Sequence, residues 1–290
     1  GIMYLGGFAG FASAWAYENT AANPSGAVSV VIALTCAILA SMAGGLIYAF
    51  LTISLRANQN VTGLALTTFG MGVANFFGVF ILNGASYSAA PIANKAFSAK
   101  IPVLSTLGGF GQVVFSYGFL VYAAIALAIA LHWFLTRTRA GLNLRAVGEN
   151  PATADAAGIN VTLYKYLATC IGAGICGIGG LYYVLDYNQG IWATTGQIEA
   201  LGWLAVALVI FTTWKPLNAI WGAYLFGMLY WLYQFLPTLL GITMASHITD
   251  LVQMLPYVVT IVVLIVVSMR KKKENQPPAH LGLAYFREER

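Results

Sequence analysis

The chain has 290 residues, 59% hydrophobic and only 8% charged, whereas a soluble domain carries roughly a quarter charged residues. With a mean hydropathy of +0.77 and apolar runs along its whole length, it reads as an all-α, polytopic helical membrane protein whose solvent is the lipid bilayer. The net charge of +5 supports no nucleic-acid reading, because in such a chain the placement of the charges matters more than their sum.

The chain opens at Gly1-Ile2-Met3 with no basic leader, so no cleavable signal peptide is read and a start inside a longer protein is expected. About 20 apolar residues cross the hydrocarbon core. By that ruler spans are predicted at 2–17, 27–55, 61–82, 113–135, 166–185, 198–214, 219–236 and 251–269, about eight in all. Between the third and fourth lies a long loop, 84–112, with Pro91, Lys95, Lys100 and Pro102, which is expected to carry a short interfacial helix.

The fifth span places Gly172, Cys176 and Gly180 at four-residue spacing with Ala173 and Gly177 beside them, a stripe that reads as helix packing. Cys36, Cys170 and Cys176 form no CxxC pair and read as small packing residues. The sixth span is 17 residues at most. It follows a segment bounded by Gly190 and Gly196, which points to a broken or re-entrant helix near 190–214, the kind of element found at transport sites. A membrane domain over 1–270 and a solvated polar tail over 271–290 follow, with the basic cluster after Arg270 anchoring the last helix.

With Gly1 in the cytoplasm, twelve of the fourteen Lys and Arg residues fall on the cytoplasmic side and only Lys95 and Lys100 on the other. That is the positive-inside pattern, and it makes both termini cytoplasmic. Trp15, Trp133, Trp192 and Trp214 fall near predicted interfaces.

All nine acidic residues lie at or beyond span ends, so no buried carboxylate is offered for proton coupling. His132, His247 and His280 are dispersed, which argues against a metal centre or a histidine base. There is no GxxxxGK[ST] phosphate loop. No cofactor is assigned to this chain, and energy for uphill transport would have to enter from a partner.

The longest cytoplasmic connection, 136–165, contains a bracketed helix. Asn150 suits an N-cap, Pro151 the first helical position and Gly158 a left-handed C-terminal stop. Such a helix, of about seven residues, is marginal alone in water and depends on docking. It reads equally as a plain turn between two spans or as a contact for another protein.

The run Arg145-Ala-Val-Gly-Glu-Asn-Pro-Ala-Thr-Ala-Asp-Ala-Ala-Gly-Ile-Asn160 resembles the cytoplasmic coupling loop of ABC importer permeases of the ribose, branched-chain amino acid and nucleoside branch. The runs Leu55 to Leu66, Ala205 to Gly222 with Trp214-Lys215-Pro216-Leu217, and Gln253-Met254-Leu255-Pro256-Tyr257 resemble the same branch. Together they are most similar to the permeases paired with basic membrane lipoproteins of bacteria. The resemblance implies a multi-pass bacterial plasma-membrane subunit for uptake of nucleosides, not itself an enzyme. It implies four kinds of partner: a cytoplasmic ATPase that binds ATP and magnesium, a second permease subunit, an extracytoplasmic substrate-binding lipoprotein and the bilayer. Family members begin further upstream than Gly1, so a helix or more is expected to precede it.

On that reading Glu149, Asn150, Pro151, Asp155, Ala156 and Gly158 couple the chain to the ATPase. A pathway for neutral polar cargo needs amides, hydroxyls and aromatic faces, and the candidates are Asn58, Gln59, Asn60, Asn75, Trp203 and Thr212. Asn58 and Asn60 read somewhat more readily as helix caps than as substrate contacts. Lys95 and Lys100 are the candidates for docking the binding lipoprotein. Three rivals stand: a permease of the same branch for a sugar or amino acid, an ion-coupled secondary transporter, and a passive channel or scaffold.

Overall fold

The computed structural model describes residues 1–82, 88–100, 116–192, 197–240 and 276–286, with isolated positions between 254 and 269. Most of the predicted eighth span and of the Gln253–Tyr257 run, the stretches 84–87 and 101–112 of the predicted loop, residues 113–115 at the start of the predicted fourth span, and the basic cluster 271–275 lie outside the described residues. Within them the chain is almost wholly helical: α1 Ile2–Thr20, α2 Gly26–Ala49, α3 Gln59–Leu82, α4 Pro91–Phe97, α5 Phe119–Arg137, α6 Arg139–Glu149, α7 Pro151–Ala156, α8 Val161–Tyr182, α9 Gln197–Phe211 and α10 Pro216–Leu240. A π-helical turn prolongs α2 over Phe50–Ser54 and another prolongs α8 over Tyr183–Tyr187. The protein is therefore a polytopic helical membrane protein. Four stretches are long and apolar enough to cross a membrane by length and composition: Gly26–Ser54, Gln59–Ile81, Phe119–Arg137 and Val161–Tyr187. Outward-facing Leu39, Phe80, Trp221 and Met228 are all well over half exposed, as residues that face lipid are.

The chain divides into two compact units, one of residues 1–124, 150–200 and 282–290, the other of 125–149 and 201–281. In the first unit α1, α2 and α8 pack closely because their facing positions are small. Gly177 sits against Ser41 and the carbonyl of Ala37, Gly180 against the carbonyl of Met3, and Gly45 against Ala173. Ser41, fully buried, donates its hydroxyl to the Ile2 carbonyl at 3.2 Å. The predicted small-residue stripe is thus a packing seam, but its line is different. Ala173, Gly177 and Gly180 make it, while Gly172 has open space around it and Cys176 is exposed.

One end of the first unit is closed by α4. Glu18, near the end of α1, accepts the N-terminal amides of Ile92 at 3.2 Å and Ala93 at 2.6 Å, so a carboxylate holds the positive end of the short helix. Asn94 donates to the Leu185 carbonyl at 2.9 Å and Ser98 to Asp186 at 2.7 Å. Beside them Gln189 and Gly190, both with φ near +55 to +71°, reverse the chain into β2 (Ile191–Trp192), which pairs antiparallel with β1 (Ser88–Ala89). Trp192 does not lie at an interface as the sequence suggested. It is 1% exposed, with Tyr4, Phe8 and Phe11 of α1 around its ring at centroid distances of 6.1, 5.1 and 5.8 Å.

In the second unit α9 has 15 residues, about 22 Å of helix at 1.5 Å per residue, short of the roughly 30 Å core. It breaks at Thr213 and Trp214, both at φ 54°, before α10 starts at Pro216. The predicted interruption near 190–214 is therefore present as two breaks, the reversal before β2 and this corner; residues 193–196 lie outside the described ones.

Candidate functional site

The connection expected to carry one short helix carries two. Thr138 caps α6, its hydroxyl accepting the Gly141 amide at 3.0 Å, and Gly141 lets α6 turn sharply off α5, since a side chain there would run into the Phe134 carbonyl. The cap at Thr138 is a local start signal that the sequence reading passed over. Glu149 is the last residue of α6 and is exposed.

α7 follows as the sequence predicted. The Asn150 side chain accepts the Thr153 amide at 3.0 Å, and Pro151 fills the first helical position, where a missing N–H leaves nothing unsatisfied. Gly158, at φ 81°, ends the helix, with its amide bonded to the Asp155 carbonyl at 3.0 Å and that of Ile159 to Ala154 at 3.0 Å. Pro151 and Ala154 are buried, while Thr153, Ala156, Ala157 and Gly158 are exposed. A six-residue helix cannot hold itself in water; the buried pair anchors it and the small exposed residues form a surface that another protein can approach closely.

The tail, expected to be solvated, supplies the other anchor. Tyr285 donates its hydroxyl to the Asp155 carboxylate at 3.1 Å across a separation of 130 residues. The Arg56 guanidinium lies 4.4 Å above the Phe286 ring and the Lys165 ammonium 5.8 Å from the centre of the Tyr285 ring, both within cation–π range. Arg56 is held at φ 56°, a conformation unfavourable for a side chain with a Cβ, just after the π turn that ends α2. Arg56, Gln59, Asp155, Asn160, Lys165 and Tyr285 line a cavity of about 590 Å³ beside α7. The sequence offered Arg56 and Lys165 only as two of the twelve cytoplasmic cations, and it singled out neither Tyr285 nor Phe286. No local signal could have found the last two, because their partners are far away in the chain.

The six pathway candidates are not gathered at one place. Asn58 is exposed and its Oδ1 accepts the amides of Asn60 at 3.0 Å and Val61 at 3.2 Å, so that side chain caps α3. Gln59 lines the cavity next to α7, and Asn60 is exposed. Asn75 stands 15 or so residues further along α3, about 24 Å away by helical rise, with its Oδ1 buried and without a hydrogen-bond partner among the described residues. Trp203 and Thr212 belong to the second unit. Trp203 is half exposed on α9, and Thr212 is buried at the corner before α10, where its carbonyl accepts from Asn218 at 3.3 Å. Lys95, in the last turn of α4, and Lys100 are both exposed. They lie at the end of the first unit that holds the C-terminal end of α8, whereas α7 lies at the end that holds its N-terminus. Among the described residues no group of three or more His, Cys, Asp and Glu is placed to hold a metal.

The protein family described as branched-chain amino acid transport system, permease component, matches residues 1–266. A putative glucose ABC transporter permease of Haloferax volcanii, TsgC13, is 34% identical over 234 residues, 79% of this chain and 65% of that protein. The nucleoside ABC transporter permease NupC of Lactococcus lactis is 30% identical over 266 residues, covering 91% of this chain and 80% of its own. The guanosine ABC transporter permease NupQ of Bacillus subtilis is 32% identical over 235 residues, 78% of this chain and 69% of its own. No solved structure matches. A match that runs from Gly1 through the capped loop and both helix breaks to residue 266 leaves one assignment: the chain belongs to the family of permease components typified by branched-chain amino acid transport systems.

Proposed function

We propose that this chain is the membrane-spanning permease subunit of an ATP-driven importer for nucleosides, seated in a bacterial plasma membrane with α7 and the tail in the cytoplasm. The observation that carries the reading is α7: capped at both ends, anchored on one face by Pro151 and Ala154, and open on the other. Nucleoside cargo is supported by NupC and NupQ, permeases named for nucleoside and guanosine transport. The likeness to TsgC13, named for glucose, supports a second reading in which the cargo is a sugar.

On this proposal a separate cytoplasmic ATPase, holding ATP and magnesium, takes the exposed face of α7 in a surface groove. Closure of the ATPase moves α7 and the helices tied to it. Glu149 and Asp155 face basic residues of that partner, while Asn150 and Gly158 hold the helix ends. Two permease subunits face each other across the pathway. A binding lipoprotein delivers cargo to the other face, where Lys95 and Lys100 meet its acidic groups. The chain performs no chemistry of its own.

Replacing 151–157 with a flexible Gly-Ser linker abolishes uptake and the response of ATP hydrolysis to cargo, while membrane insertion stays intact. Uptake is measured in vesicles with trapped ATP and a collapsed ion gradient, with guanosine and glucose in competition. Uptake that survives the linker, or that follows the ion gradient instead of ATP, rules the proposal out. Competition by glucose alone replaces nucleosides with a sugar.

A further inference from the structure

We propose that Asn75 and Trp192 form a hydroxyl-binding site within the first unit, and that its ligand is a hydroxyl group of the neutral solute the permease carries. This rests on the importer reading above and adds to it the chemistry of one cargo contact.

Trp192 is 1% exposed. Tyr4, Phe8 and Phe11 surround its ring, one stacked at 23° and two edge-on. Those rings satisfy its apolar surface, and the indole Nε1–H is buried with no hydrogen-bond partner among the described residues. Nε1 points at α3, where a Cβ on Gly78 would lie 2.8 Å from it. Glycine at this position is what lets the indole edge reach the helix.

Asn75 precedes Gly78 by three residues, so the two positions share one face of α3, with Cβ sites about 5–6 Å apart. Its Oδ1 is also buried and also without a partner among the described residues. The fold thus places an unpaired donor and an unpaired acceptor about one helical turn apart on one face. Each such group is destabilising when left alone, and more than about nine in ten buried polar groups in proteins do have partners.

The missing group must accept from Nε1 and donate to Oδ1. A hydroxyl does both through a single oxygen. A carboxylate only accepts and an ammonium only donates, so neither completes the pair. The chemistry therefore selects neutral hydroxylated solutes over charged ones, and no charged side chain is among the fully buried described residues.

Ordered water carries the same chemistry, and the experiment separates the two sources. Trp192→Phe removes the N–H and keeps a ring, and Asn75→Leu removes the amide at similar volume. The complete importer is purified with its ATPase, and its melting temperature is followed with guanosine, with 2′,3′-dideoxyguanosine and with glucose. Guanosine or glucose is expected to raise the melting temperature of the wild type, the dideoxy compound to raise it less, and both single variants to lose that difference. In proteoliposomes uptake should fall about tenfold or more in either variant and no further in the double variant, because both side chains serve one ligand group.

A ligand response that is the same in the wild type and both variants overturns the site. So does a lowered melting temperature in both variants with the preference for hydroxylated ligand intact, which assigns the pair to structural water. A wild type that binds hydroxylated ligand through this pair yet imports none with ATP keeps the site and removes the importer reading instead.

Discussion

The two ends of the first unit are built on different principles. At the α4 end everything is clamped. Two carboxylates, Glu18 and Asp186, hold the two ends of a seven-residue helix, Asn94 ties it to α8, and the β1–β2 pair closes the loop beside it. At the α7 end the attachments are of other kinds, and among the described residues they include two buried small side chains, a tyrosine hydroxyl on the Asp155 carboxylate and two cations over aromatic rings. A helix fixed by charge-assisted bonds in half-buried surroundings presents a static surface. The bond from Tyr285 to the Asp155 carboxylate is charge-assisted too, but it reaches a side chain and not the backbone of α7. The cation–π contacts, worth about 0.5–1 kcal/mol each, lie beside the helix, so a partner can shift it at smaller cost. The contrast suits a receiving face that must keep its shape and a driven face that must move.

The largest expected effect falls on the seam that joins the ends. Gly180→Leu forces a side chain into the Met3 carbonyl and the Gly7 backbone, a clash that backbone movement relieves only at above about 3 kcal/mol. The variant should be recovered in poor yield, with a melting temperature far below that of Cys176→Leu, which changes the neighbouring exposed position. Equal stability of the two would remove the seam as drawn.

Reversing Lys95 and Lys100 to Glu together should lower uptake several-fold at low salt and much less at high salt, because exposed charges steer a charged partner over a screened range. Stability should be unchanged. If uptake is insensitive to both reversal and salt, the α4 end is not a charge-guided docking face.

Glu18→Gln keeps the size of the side chain and removes its charge from the amides of Ile92 and Ala93. A loss of about 1–2 kcal/mol is expected, read as faster hydrogen exchange confined to α4 and β1. Exchange that rises throughout the bundle would show that Glu18 supports the unit as a whole and not α4 in particular.

Tyr285→Phe should give the smallest change, about 0.5–1.5 kcal/mol of local stability. If the tail sets the position of α7, the ratio of cargo moved to ATP consumed falls, although insertion and assembly do not. An unchanged ratio would make Tyr285 a passive contact.

Local signals were legible and distant ones were not. Hydropathy located the helices, although Val161 and not Tyr166 opens α8 and Gln197 opens α9. The caps of α7 were readable because Asn150, Pro151 and Gly158 act on backbone within four residues of themselves. The four-residue stripe on α8 was visible, but which of its two neighbouring lines faces α1 and α2 depends on how the helix is rotated against them, and spacing alone is silent on that. Trp192 shows the limit most clearly. An indole next to a span end satisfies an interface as well as a core, and only the reversal at Gln189 and Gly190 sends it inward.

The amino-acid sequence by itself determined that the chain crosses a membrane, where its helices run and that one connection carries a capped helix. Burial of apolar runs and capping of backbone groups are properties of short stretches, and they hold whatever the rest of the chain does. Tertiary structure alone decided that Tyr285 meets Asp155, that Glu18 holds α4 and that Trp192 stands over Gly78 beside Asn75. These pairs lie 74 to 130 residues apart. Nothing in either partner's own neighbourhood specifies the other until the α1, α2 and α8 seam has brought their helices together.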